Sequence, residues 1–137
     1  MKRFSVHVLL VILTVGVFSS CYDRGIVDKK DFDHSLPNVE GLDYTKVGNT
    51  LTITWDFPAD ISPAFRRPLE VSIQKVENDI YRDVIIAGGE GTSTEIPIDS
   101  GKSYRFVVKL AGNLSDEARE TGKPDRVYSS GLVLEVQ

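Results

Sequence analysis

The stretch that most constrains this chain is residues 98–110, Ile-Asp-Ser-Gly-Lys-Ser-Tyr-Arg-Phe-Val-Val-Lys-Leu. Ile98 precedes a turn through Gly101, and the chain then places Tyr104, Phe106, Val108 and Leu110 at a spacing of two. That period puts alternate side chains on one face, which makes a strand with one buried side. The same alternation recurs along the chain. Leu51, Ile53 and Trp55 alternate with Thr50, Thr52 and Thr54, and Leu69, Val71 and Ile73 alternate with Glu70, Ser72 and Gln74. In the last strand, 127–136, Leu132, Leu134 and Val136 share a face. Shorter strands are expected at 39–44, at 80–87 and at 92–98, where Pro97 favours an edge or a strand end. Turns fall at 46–49, 76–79 and 88–91, and no stretch carries apolar spacing near 3.6. The expectation is an all-β, seven-stranded antiparallel β-sandwich over residues 39–137.

The first twenty residues follow a different rule. Lys2 and Arg3 make a basic start, and residues 4–18 are an almost unbroken apolar run, shorter than the ~20 residues that a membrane-spanning helix needs. Residues 1–20 therefore read as a secretory leader. Its end, Val17-Phe18-Ser19-Ser20-Cys21, resembles the lipobox of bacterial lipoproteins, in which a cysteine after small residues is lipidated and becomes the new N-terminus. Phe18 and His7 depart from the usual pattern. The competing reading is ordinary cleavage near Ser19 or Ser20, which leaves a soluble secreted domain with a lone thiol at Cys21. A single leftover cysteine in an exported chain calls for a reason, and lipidation supplies one. The anchor places the body at the cell envelope, with the outer membrane expected and its periplasmic or surface face open; Tyr22-Asp23-Arg24 gives only a hint of surface export. Residues 21–38 then form the lipidated cysteine and a charged tether. About 17 flexible residues span roughly 20–25 Å on average. Asp28, Asp31 and Asp33 lack the glycine and distal glutamate of a calcium loop and read as part of that tether.

Charge and residue inventory narrow the function. Net charge is −4, and removal of Lys2 and Arg3 with the leader takes it to −6, which argues against a nucleic-acid partner. Both histidines, His7 and His34, precede the regular region, and Cys21 is the only cysteine. Serine triads, thiol nucleophiles and the common zinc sites are therefore excluded from the body. Neighbouring acids such as Glu77 and Asp79, or Asp116 and Glu117, stand in polar turns without the buried setting that separates two acidities. Gly88-Gly89-Glu90-Gly91 has neither a lysine nor a helix to receive a phosphate. Asn113-Leu114-Ser115 fits a glycosylation acceptor, a pattern of little weight behind a bacterial leader. The chain is expected to be no enzyme and to hold no cofactor or metal.

The segment Leu-Thr-Ile-Thr-Trp-Asp-Phe-Pro at 51–58 resembles strand B of a fibronectin type III domain with its following proline. Ile98, Gly101 and Tyr104 resemble the corner that leads into strand F of fibronectin type III and other immunoglobulin-like sandwiches. The resemblance covers residues 39–137 and implies structural roles for Trp55, Gly101 and Tyr104, with the tyrosine hydroxyl tying the corner to upstream backbone. Trp55 reads as core, and stacking on a ligand is its second reading. More broadly the chain resembles small lipoproteins of Gram-negative gut bacteria, which implies an anchor and a fold but no activity.

Alternating strand directions put every second connection at one pole. The tether should therefore share its pole with loops 56–68, 88–91 and 111–126, the first and last of which are the longest. Phe65, Arg66 and Arg67 beside Asp116, Glu117, Arg119, Lys123 and Arg126 make the candidate binding face, since arginine and aromatic residues suit contact surfaces. The plainer reading is a set of solvated loop charges. The function expected is a lipid-anchored, non-enzymatic binding module with an envelope protein or glycan as partner. The alternative is a structural subunit of a surface fibre or transporter-associated complex, assembled through an exposed strand edge.

Overall fold

The computed structural model describes residues 34–137; the leader at 1–20, Cys21 and residues 22–33 lie outside the described residues. Eight strands follow in order: β1 Glu40–Val47, β2 Thr50–Asp56, β3 Glu70–Glu77, β4 Ile80–Ala87, β5 Ser93–Pro97, β6 Tyr104–Asn113, β7 Arg126–Tyr128 and β8 Leu132–Val136. They form two antiparallel sheets, one of three strands ordered β1-β2-β5 and one of five ordered β4-β3-β6-β7, with β8 also on β6. This all-β, two-sheet arrangement is consistent with a β-sandwich.

The alternating apolar residues meet in one core. Leu51, Ile53, Trp55 and Ile96 come from the smaller sheet, and Val71, Ile73, Phe106, Val108 and Leu110 from the larger. Register matches the alternation, with Val71 opposite Leu110 and Ile73 opposite Val108, so the inward rows of β3 and β6 coincide. Two tight turns set the flanking hairpins. Val47 pairs with Thr50 across Gly48, whose φ of 58° suits the first central residue of a two-residue hairpin. Glu77 pairs with Ile80 across Asn78 and Asp79, both in the left-handed region that short polar side chains tolerate.

Three boundaries differ from the sequence expectation. The final strand at 127–136 is two pieces, which makes eight strands rather than seven. β7 pairs with Ala111, Gly112 and Asn113 and β8 with residues 104–108 of the same β6, so both lie along one flank. Between them Ser129 Oγ accepts the Leu110 N–H at 2.9 Å, Gly131 adopts φ 91°, and Asn38 Oδ1 accepts the Gly131 N–H at 2.7 Å. Hydroxyl and amide groups thus stand in for ladder bonds at the break. Second, β1 runs to Val47 rather than ending near Tyr44, because its pairing with β2 continues to the hairpin. Third, the packed body begins before Val39: Leu36 is buried, and Asn38 serves the break just described. The end of the expected tether is therefore part of the fold.

Candidate functional site

The three connections expected at one pole are joined there by backbone. Phe65 and Leu114 form an isolated β-bridge, the Arg66 N–H donates to Asn113 O at 2.8 Å, and the Ser115 N–H donates to Ala64 O at 2.8 Å. The Glu90 carboxylate accepts from Arg67 at 2.6 Å and from the Leu69 N–H at 3.2 Å, which ties the β4–β5 turn to the β2–β3 loop. Leu36 reaches the same place. A Cβ added to Gly112 would lie 2.7 Å from Leu69 Cδ2, 3.2 Å from Phe65 Cδ1 and 3.5 Å from Leu36 Cδ1. The N-terminal segment and the long loops thus converge at one end of the body.

That end differs from the binding face drawn from sequence. Phe65 is 4 % exposed and belongs to the core, because its bridge to Leu114 folds the ring under the loop. The loop expected at 111–126 spans 114–125, since β6 extends to Asn113 and β7 starts at Arg126. Most of the charges in this loop and beside it are paired. Arg66 pairs with Asp116, Arg119 with Asp125 at 2.9 Å and with Asp116 at 3.7 Å, Lys123 with Glu120, and Arg126 with Glu70. Arg126 also donates to the Tyr128 hydroxyl at 2.9 Å and lies over that ring. Glu117 is exposed. Acids and bases alternate across this surface, as the mixed residues of the candidate face imply, and their pairing braces the pole. Arg67 holds the Glu90 carboxyl below its ordinary acidity range, with the Leu69 N–H adding to the effect.

The opposite pole holds the corner. The Tyr104 hydroxyl accepts the Asp99 N–H at 2.8 Å, and Gly101 turns at φ 81° with open space around it, so its backbone angle rather than crowding asks for glycine. Lys75 runs over the Tyr104 ring and donates to Pro97 O at 2.8 Å. Glu77, nearly buried, accepts from Lys102 at 3.0 Å and from Arg82 at 3.2 Å, and Lys102 reaches Asp99 at 2.6 Å. The Lys102 hydrogen bonds are the main cause of the lowered pKa values of Glu77 and Asp99, and the two carboxylates, Asp99 first, raise the pKa of Lys102. These groups brace a turn and leave no carboxyl poised as an acid near neutral pH. Trp55 is 2 % exposed, its indole N–H is buried without a partner among the described residues, and no open face remains for stacking.

Sequence reasoning passed over the outer edge of β4. Ile80, Tyr81 and Ile86 are each about half exposed, at 55 %, 57 % and 48 %. Across the outward face of the larger sheet, Val84 pairs with Gln74, Gln74 with Val107, and Val107 with the exposed Val133. Val84, Ile85 and Ile86 in succession were the available signal. A strand with one core face needs a polar residue at every second place, and here both faces are apolar.

The comparisons with known proteins add one relationship. No curated protein and no solved structure matches the chain significantly. A family model, described as a domain of unknown function, matches residues 21–136, so that nearly the whole chain from Cys21 onward is covered. On that match the chain belongs to the family of the domain of unknown function DUF4945.

Proposed function

We propose that this protein is an exported, lipid-anchored interaction module of the cell envelope, built on a fibronectin type III-like sandwich and working without catalysis, through the outer edge of β4. Reading β1 to β6 and the split β7–β8 as strands A, B, C, C′, E, F and G gives an A-B-E sheet against a C′-C-F-G sheet, which supports that fold type. The basic start, the apolar run at 4–18 and the Ser19-Ser20-Cys21 sequence support a leader that ends before Cys21. The absence of histidine and cysteine after His34 supports a role in binding.

One observation favours the edge over the loops. The loop cations are each engaged with a neighbouring acid, whereas β4 ends the sheet order and exposes three large apolar side chains. Edge strands of soluble domains ordinarily carry charge or proline to discourage pairing. β4 confines its charges to Arg82 and Asp83, and the uncharged stretch at 84–87 suits strand addition by a partner. The test is a photo-crosslinking residue placed at Ile86 or, separately, at Arg119 in the anchored protein in its own membranes. Products from Ile86 and none from Arg119 are expected. Products from Arg119 alone would return the binding face to the loops.

A further inference from the structure

We infer that the partner of the β4 edge is a second copy of this chain, joined antiparallel about a two-fold axis at Ile85. The inference rests on the edge reading above and adds the identity and register of the occupant.

Among the described residues four strand edges have no neighbouring strand, and they differ sharply. β1 carries Glu40, Asp43 and Lys46 and a register shift between Glu40 and Asp43. β5 is five residues long with Glu95 and Pro97. The β7–β8 flank is broken at Ser129 to Gly131, and Glu135 follows. Each carries a recognised guard against pairing. β4 has a register irregularity near Arg82 and Asp83, yet residues 84–87, Val-Ile-Ile-Ala, are uncharged and regularly paired to β3. The unguarded stretch is confined to half of one strand.

Identical strands related by a two-fold axis perpendicular to the sheet keep their faces, so residues whose numbers add to a constant even sum stand opposite. An axis on Arg82 or Asp83 sets like charges against each other, which is destabilising. An axis on Val84 sets Arg82 against Ile86 and Asp83 against Ile85. An axis on Ile86 places Val84 against the turn at Gly88. With the axis on Ile85, Val84 faces Ile86 of the second copy twice over, Ile85 faces itself, and Asp83 faces Ala87. Arg82, which pairs with Glu77 of its own chain, then faces the uncharged Gly88 of the second copy. β-branched pairs in the middle, with no like charges opposed at either end, make the strand complementary to itself.

A single strand pairing buries less than the ~1,200 Å² of a standard interface. A lipid anchor offsets that by confining the copies to one surface at high effective concentration. The complex is accordingly one of the membrane rather than of dilute solution.

The register makes a specific demand on chemistry. Opposed residues of antiparallel strands have Cα atoms about 4.5–5.5 Å apart, within the range a disulfide spans. A tagged Val84→Cys chain and an untagged Ile86→Cys chain are co-expressed with their leader and oxidised in membranes. Ile85→Cys is oxidised alone. The Val84→Cys and Ile86→Cys pair should give a product of twice the chain mass, at least about tenfold above either variant alone. Ile85→Cys should link to itself. Equal linking of every variant to itself, or no product, overturns the register. The photo-crosslink at Ile86 separates the levels of the claim. A product of twice the chain mass supports the second copy. A product of another mass, or one internal to the chain through its N-terminal segment, overturns the second copy, and only the first of these leaves the partner edge standing. No product of any kind removes the edge reading itself.

Discussion

Tyr104 combines a ring in the core with one oxygen at the corner, where it accepts the Asp99 N–H. Tyr104→Phe keeps the ring and strips that N–H of its partner, so unfolding by denaturant should show a loss of about 1–2 kcal/mol with little change in slope. Gly112 presents the complementary case, a residue whose missing side chain is the point. A methyl there meets Leu69 Cδ2 at 2.7 Å with Phe65 and Leu36 close behind. Gly112→Ala should therefore destabilise by about 1–3 kcal/mol through overpacking, and release of Leu36 should be visible as earlier proteolysis near residue 36. Legibility at this scale followed local chemistry. The Ile98, Gly101 and Tyr104 spacing is read from a few adjacent residues, and so was the structure it makes. Phe65 was misplaced because its burial depends on Leu114, which lies far along the chain and gives no local sign.

Strands with one polar face announced themselves, and β2, β3 and β6 lie where alternation put them. The break between β7 and β8 left a trace that was passed over, because Val127 stands five residues before Leu132, out of phase with the period of two that Leu132, Leu134 and Val136 keep. Its cause is the Ser-Ser-Gly stretch at 129–131 together with Asn38, which arrives from the other end of the described body. Asn38→Ala should cost about 1 kcal/mol, and amide exchange should quicken at Gly131 while residues in the β3–β6 ladder keep their protection. Uniform quickening across both sheets would contradict the local role assigned to Asn38. At the same scale, the edge of β4 escaped notice because a run of apolar residues reads equally as a strand buried on both faces. Only the sheet order shows that one flank has no neighbouring strand among the described residues.

Acidification acts on the molecule as a whole, because the braces at both poles are carboxylates. Glu77, Asp99 and Glu90 have folded pKa values below their ordinary ones, so the native state binds fewer protons than the unfolded chain just below the ordinary carboxylate range. Their contribution is fully present above the unfolded values, near pH 4, and is lost as pH falls through the folded ones. Lys102 works at the other limit, since its raised pKa contributes stability that is lost as pH rises through the folded value. A thermal-unfolding series should be flat near neutrality and fall in acid, and Glu77→Gln should flatten part of the acid limb.

The account as a whole depends on the anchor, because a weak strand pairing matters only for copies held on one surface. The most direct measurement is mass spectrometry of the N-terminal peptide of protein purified from membranes. The account predicts a chain that begins at Cys21 and carries the added mass of acyl groups on that residue. An unmodified Cys21, or a chain that retains residues 1–20, would contradict it.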